Sequence, residues 1–155
     1  MEEIQRLQDN LLLMRHALGW SAEELGGRIG VTRQTINNIE SNRGTLSKTQ
    51  YIAIRAIFDA EMAENPQETE ILKYLLDVLV DNPDKYNEKD RDYLLGKANM
   101  LTPSIMAKTT SRGEVSKEFA GLVSKIGAFA MLSSVVGLGV GAWVMKMLND
   151  KKKEG

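Results

Sequence analysis

Apolar residues recur at intervals of three and four over residues 2–18 (Ile4, Leu7, Leu11, Met14, Leu18), the repeat of a helix with one buried stripe. Gly19 ends that pattern. The next stretch, WSAEELGGRIGVTRQTINNIESNR from Trp20 to Arg43, predicts two short helices joined by a tight turn. Ser21 is placed as an N-cap and Glu24, three residues on, completes a capping box, with Trp20 and Leu25 spaced as a hydrophobic staple. Gly30 can take the left-handed conformation that stops the first helix. Thr32 then caps the second, with Val31 and Ile36 at staple spacing. Leu25, Ile29, Val31, Ile36 and Ile39 form a core-facing stripe across both helices. The opposite face of the second helix carries Arg33, Gln34, Asn37, Asn38 and Ser41, side chains able to hydrogen-bond base edges in a major groove.

Further along, RGTL at 43–46 reads as a loop and Ser47 as the cap of a helix to about Met62. Tyr51, Ile52, Ile54, Ala56, Ile57 and Phe58 supply its apolar groups. Asn65-Pro66 ends it, because a residue before proline disfavours the helical region. Residues 67–81 predict a helix with a wide stripe, Ile71, Leu72, Leu75, Leu76, Val78 and Leu79, suited to completing the core or to a dimer seam. Asn82-Pro83 is a break. Asn87 with Asp90 resembles a capping box and opens a helix to about Met100, whose narrow apolar face is Tyr93, Leu94, Met100 and Leu101. In residues 102–115 Pro, Gly, Ser and Thr cluster and periodicity is lost, the composition of a linker.

Ser116 is expected to cap a last helix, 116–149. Within it, residues 126–145 contain no charge and match the roughly 30 Å hydrocarbon thickness of a bilayer at ~1.5 Å per residue. Lys125 and Lys146 bracket the run, and Trp143 sits where an interfacial aromatic belongs. Ser133, Gly137 and Gly141 make a small-xxx-small face that permits close helix approach. The segment therefore reads as a single transmembrane helix, or otherwise as a buried oligomerisation helix. Basic residues do not orient it: Lys108, Arg112, Lys117 and Lys125 precede the span, and Lys146, Lys151, Lys152 and Lys153 follow it.

Composition changes the picture in two ways. The chain has one histidine and no cysteine, which nearly excludes Ser-His and Cys-His nucleophile pairs and thiolate metal sites. No spacing of His and carboxylates suggests a metal, and DNPDKYNEKDRD at 81–92 lacks the glycine and spacing of a calcium loop. The expectation is a non-enzyme with no metal and no cofactor. The net charge of −1 is unevenly spread. Between residues 28 and 48 Arg28, Arg33, Arg43 and Lys48 stand against Glu40 alone, a local +3. That modest footprint implies weak DNA binding by one copy and a need for two.

The run LLLMRHALGWSAEELGGRIGVTRQTINNIESNR, within residues 8–62, resembles the helix-turn-helix domain of phage repressor and Cro proteins, the XRE family. The resemblance implies a repressor/Cro-like helical bundle over 1–66; with the elements read from periodicity beyond it, the expected fold is all-α, with a helical accessory or dimerisation region over 67–101, the linker 102–115, and the C-terminal helix 116–149. It implies that Arg15 pairs with Glu40, clamping the first helix to the recognition helix and orienting Arg15 towards phosphate. The loop at 43–46 is implied to lie along the DNA backbone. Arg33, Gln34 and Asn38 are the expected base readers, and Thr35, Arg43 and Lys48 the expected phosphate contacts. One departure from the family pattern is Ala22, where a Gln that touches phosphate and braces the recognition helix is common. The backbone N–H groups there can still bind phosphate. The sequence thus points to a membrane-tethered transcriptional regulator on the cytoplasmic face, single-pass, binding double-stranded DNA as a homodimer. Its rivals are a membrane-anchored protein-interaction or assembly factor and a soluble phage-type repressor.

Overall fold

A computed structural model describes residues 2–124. Among these residues the chain is helical throughout, with no strand. Helix α1 spans Glu2–Leu18, α2 Ala22–Ile29, α3 Arg33–Glu40 and α4 Lys48–Glu64. The sequence signals for these four act locally. Ser21 accepts from the Glu24 N–H and the Glu24 carboxylate accepts from the Ser21 N–H, the complete capping box. Gly30 closes α2 at φ 79°, in the left-handed region. Thr32 accepts from the Thr35 N–H. Ser47 and Gln50 make a second full box at the start of α4. Gly26 is the point where the turn folds back on α2. A Cβ there would lie 2.7 Å from the Val31 carbonyl oxygen, so only glycine allows the approach.

The apolar stripes of these helices meet in one core. Leu7, Leu11, Met14, Leu25, Ile36, Tyr51, Ile54 and Phe58 are fully buried. Trp20 is buried beside Phe58, ring centroids 6.4 Å apart, and the Arg28 guanidinium stacks 4.0 Å from its ring. On α4, Ala56 faces solvent, while Arg55 is buried and forms a bidentate pair with Asp81 at 2.8 and 2.9 Å. Arg55 falls one helical turn from Tyr51 and nearly one from Phe58, so it lies on the buried side of α4.

The second half of the described chain packs onto this core. Helix α5 spans Glu70–Leu76 and passes into a π-helical turn, Asp77–Asp81, then a 3₁₀ turn, Pro83–Lys85. The wide stripe Ile71, Leu72, Leu75, Leu76 and Val78 is buried, with Leu79 half-buried, against α1, α4 and the last described helix. It is spent inside the chain and is not a free dimer seam. The π turn is held by Asp77, whose carboxylate accepts from the Asn82 amide at 2.6 Å and from the Tyr86 hydroxyl. Burial, and then the hydrogen bond to Asp77 and its charge, pushes the Tyr86 phenol above its ordinary pKa. Arg6 of α1 donates to the Val80 carbonyl at 2.9 Å, a bond that ties the turn to the first helix.

Helix α6, Glu88–Leu101, starts at Asn87, whose side chain accepts from the Asp90 N–H, only the forward half of a capping box. Its expected apolar face is divided: Leu94 is buried, whereas Tyr93 and Met100 are exposed. The segment expected to be a linker instead carries helix α7, Pro103–Met106, with Ile105 buried and in contact with Gly19. Helix α8, Arg112–Val123, is capped by Ser111, five residues earlier than Ser116. Ser116 is fully buried, and its hydroxyl donates to the Glu68 carbonyl at 2.9 Å. Arg112 donates to Glu68 at 2.9 Å, to Glu61 of α4, and to the Leu18 carbonyl at the end of α1 at 3.3 Å. The short Pro- and Gly-containing stretch therefore folds because its few apolar residues dock on α1 and α5.

Among the described residues no helix is long and apolar enough to cross a membrane. The candidate span 126–145, with Lys125, Lys146, Trp143 and the Ser133/Gly137/Gly141 face, lies outside the described residues.

Candidate nucleic-acid interface

Helices α2 and α3 are joined by a three-residue connection, Gly30 to Thr32, and α2 packs closely on α3. Ile36 and Ile39 fix the inner face of α3 in the core, which turns Arg33 and Gln34 to solvent, with Asn38 half-exposed beside them. The Gln34 amide donates to the Asn38 side-chain oxygen at 2.9 Å. One turn of helix separates them, so the two amides form a single polar unit on the outer face. Thr35 is half-buried and its hydroxyl shares a hydrogen bond with that of Thr32, 3.0 Å away.

Arg15 and Glu40 form a bidentate pair, Nε to Oε1 at 2.6 Å and a terminal nitrogen to Oε2 at 2.9 Å. Both side chains are more than nine-tenths buried. The remaining terminal nitrogen donates to the Trp20 carbonyl at 2.9 Å. The guanidinium is thus committed to the clamp and buried. Removing either partner would leave a buried charge uncompensated, at a cost of about 3–5 kcal/mol.

The connection from α3 to α4 is also fixed. Asn42 takes the left-handed conformation at φ 60°. The N–H groups of Arg43 and Gly44 both donate to the Asn38 carbonyl, at 2.9 and 3.0 Å. The Arg43 Nε donates to the Ser41 hydroxyl at 3.0 Å, and Arg43 and Thr45 are exposed. Beneath this connection lies Gln8 of α1, a residue the sequence reading did not single out. Its amide nitrogen donates to the Ile39 carbonyl at 3.0 Å and to the Gly44 carbonyl at 2.7 Å, and its amide oxygen accepts from the Leu46 N–H at 3.0 Å. The available signal was a glutamine standing within the stripe formed by Ile4, Leu7 and Leu11.

Three helix N-termini differ electrostatically. The first turn of α2 carries Glu23 and Glu24, and the Glu24 carboxylate closes over the Ser21 N–H at 2.6 Å. That end is therefore less suited to phosphate than its amides alone suggest, since the carboxylate already occupies the place an anion would take. The first turns of α3 and α4 hold no acidic residue; α3 begins with Arg33 and α4 with the exposed Lys48. Positive helix ends next to Arg33, Arg43 and Lys48 give this side of the molecule an anion-attracting character. Among the described residues no group of His, Asp and Glu side chains is arranged to hold a metal.

No curated protein and no solved structure matches the chain. A family model described as Helix-turn-helix matches residues 11–65, which run from the middle of α1 to the C-cap of α4. Residues 11–65 of this chain are a helix-turn-helix DNA-binding domain of the XRE type.

Proposed function

We propose that the chain is a sequence-specific regulator of transcription that lays α3 in the major groove. The observation that carries this reading is the outer face of α3. It presents Arg33 and the bonded pair Gln34–Asn38 to solvent on a helix clamped to α1 through Glu40. Arg33 suits the two acceptors of guanine, and the Gln34–Asn38 unit suits the donor–acceptor edge of adenine. Arg43 and Lys48 meet phosphate, and Thr35 adds a neutral contact there. The local charge of +3 is small, so two copies bind symmetric half-sites about 34 Å apart. The test is selection of bound fragments from random duplex DNA by the full chain and by Arg33→Ala, Gln34→Ala and Asn38→Ala. The expected result is a two-fold-symmetric motif, with each variant losing about 1–3 kcal/mol at its own base position. An unchanged motif in all three variants overturns the assignment. Absence of salt-dependent binding to bulk duplex favours instead a helix-turn-helix that docks on protein.

The uncharged run 126–145 supports a further element of the proposal, a single-pass anchor that holds the DNA-binding domain at the cytoplasmic face of the membrane. With basic residues level on its two sides, DNA binding decides the orientation. The full chain is expected to resist carbonate extraction from membranes, and a chain ending at Ser124 to be released. A full chain recovered in the soluble fraction would make the run an oligomerisation helix.

A further inference from the structure

We propose that Gln8, on α1 and behind the DNA-facing surface, is the positioning residue that sets where Arg43 meets phosphate. This rests on the DNA-binding reading above. The side chain is buried and all its donor capacity is used: one amide N–H goes to the last turn of α3 at Ile39, the other to Gly44, while the amide oxygen holds the Leu46 N–H. One side chain therefore pins the end of the recognition helix and both flanks of Thr45 to α1. On the outer side the Asn38 carbonyl takes the N–H groups of Arg43 and Gly44. The 41–46 connection is thus held between a residue of the reading face and a residue of the core, and Leu46 is buried at its far end. What remains outside is Arg43, whose Nε rests on Ser41.

The chemistry demands glutamine. Glutamate lacks both donors and would set a charge against two carbonyls. Methionine matches the length but takes the amide donor from the Ile39 and Gly44 carbonyls and the acceptor from the Leu46 N–H, leaving the Ile39 carbonyl to the Asn42 N–H. Asparagine keeps the amide but is one methylene short. A connection released from Gln8 still carries Arg43, but no longer holds it at one position relative to α3, so the phosphate contact is lost while base contacts from α3 persist.

The experiment uses the full chain, Gln8→Met, Gln8→Asn, Arg43→Ala and the double variant Gln8→Met with Arg43→Ala. Affinity for bulk duplex DNA is measured against salt concentration, below the melting temperature of each protein as followed by helical circular dichroism. Gln8→Met is expected to lower the salt slope by about one unit, the loss of one phosphate contact, and to leave the selected base motif unchanged. The double variant is expected to lose no more slope than either single one. If Gln8→Met does not fold, Gln8→Asn serves, with the same expectation. A wild-type slope in a folded Gln8 variant, or slope losses that add in the double variant, overturns the proposal. Failure of the wild-type chain to bind DNA at all would instead overturn the reading on which it rests.

Discussion

Gln8, Arg15 and Arg55 each lie on a buried helix face, and each turns a polar head to a different purpose: Gln8 to backbone, Arg15 to Glu40, Arg55 to Asp81. The pair Arg15–Glu40 was legible only through the family resemblance, since nothing in their separation along the chain brings them together. Gln8 and Arg55 were missed because a polar residue inside an apolar stripe reads equally as a stripe edge facing water, and only the partner in space decides. The neighbour of Arg15 offers a residue-scale prediction. His16 is half-buried, and burial, then the adjacent Arg15 charge, holds its imidazole below the ordinary value of 6.5, with Glu40 opposing. The unfolded chain therefore takes up a proton more readily than the folded one. The stability associated with neutral His16 is fully present above about pH 6.5, and is lost as pH falls from there through the lowered folded value. Because His16 is the chain's one histidine, His16→Gln removes this titration entirely. Urea midpoints at about pH 7.5 and about pH 5.5 should differ less in the variant than in the wild type. An equal difference in both would place the pH dependence elsewhere.

Among the elements, legibility followed the range of the forces that make them. Helices α1 to α4 begin and end where local chemistry dictates: Ser21, Thr32 and Ser47 cap them, and Gly19 and Gly30 stop α1 and α2. These are contacts within a few residues, and sequence carries them directly. The later elements depend on what they pack against. Residues 67–81 have helical periodicity throughout, yet the regular α-helix stops at Leu76, and the π turn that follows exists because Asn82 and Tyr86 both donate to Asp77 while Arg55 and Arg6 hold Asp81 and Val80. Such a network spans α1, α4 and the Tyr86 turn and leaves no periodic trace. The residues at 102–115 look like a linker by composition, but Ile105 and Val115 find buried places and Arg112 reaches three groups on other elements. From sequence Ser116 was expected to cap the last helix. The choice fell to Ser111 because Ser116 is needed against Glu68.

For the molecule as a whole, the division into a DNA-binding domain over 1–66 and a separate accessory region does not describe how the core is shared. Helix α1 belongs to both parts. It packs on α3 and α4 and also on α5, the π turn, α6 and α7. Ile71, Leu72, Leu75, Val78 and Val80 are nearly or fully buried, as is Phe119 of α8 beside Tyr74. Each such side chain contributes about 1.5–3 kcal/mol relative to exposure. A domain of this size has a net stability of only about 5–15 kcal/mol. A chain cut after Pro66 strips this cover from the apolar faces of α1 and α4, and it also loses Val80 as the acceptor for Arg6, Asp81 as the partner of the buried Arg55, and Arg112 at the end of α1. The chain ending at Ser124 is expected to unfold in urea in one sigmoidal transition, with circular dichroism and Trp20 fluorescence coincident. The chain ending at Pro66 is expected to show no cooperative transition and no salt-dependent binding to duplex DNA, although it contains every residue assigned to the interface. If the shorter chain instead unfolds cooperatively at a similar midpoint, α5 to α8 are an appendage to an independent domain. The contacts of Arg6, Arg55 and Arg112 with them would then contribute little to its stability.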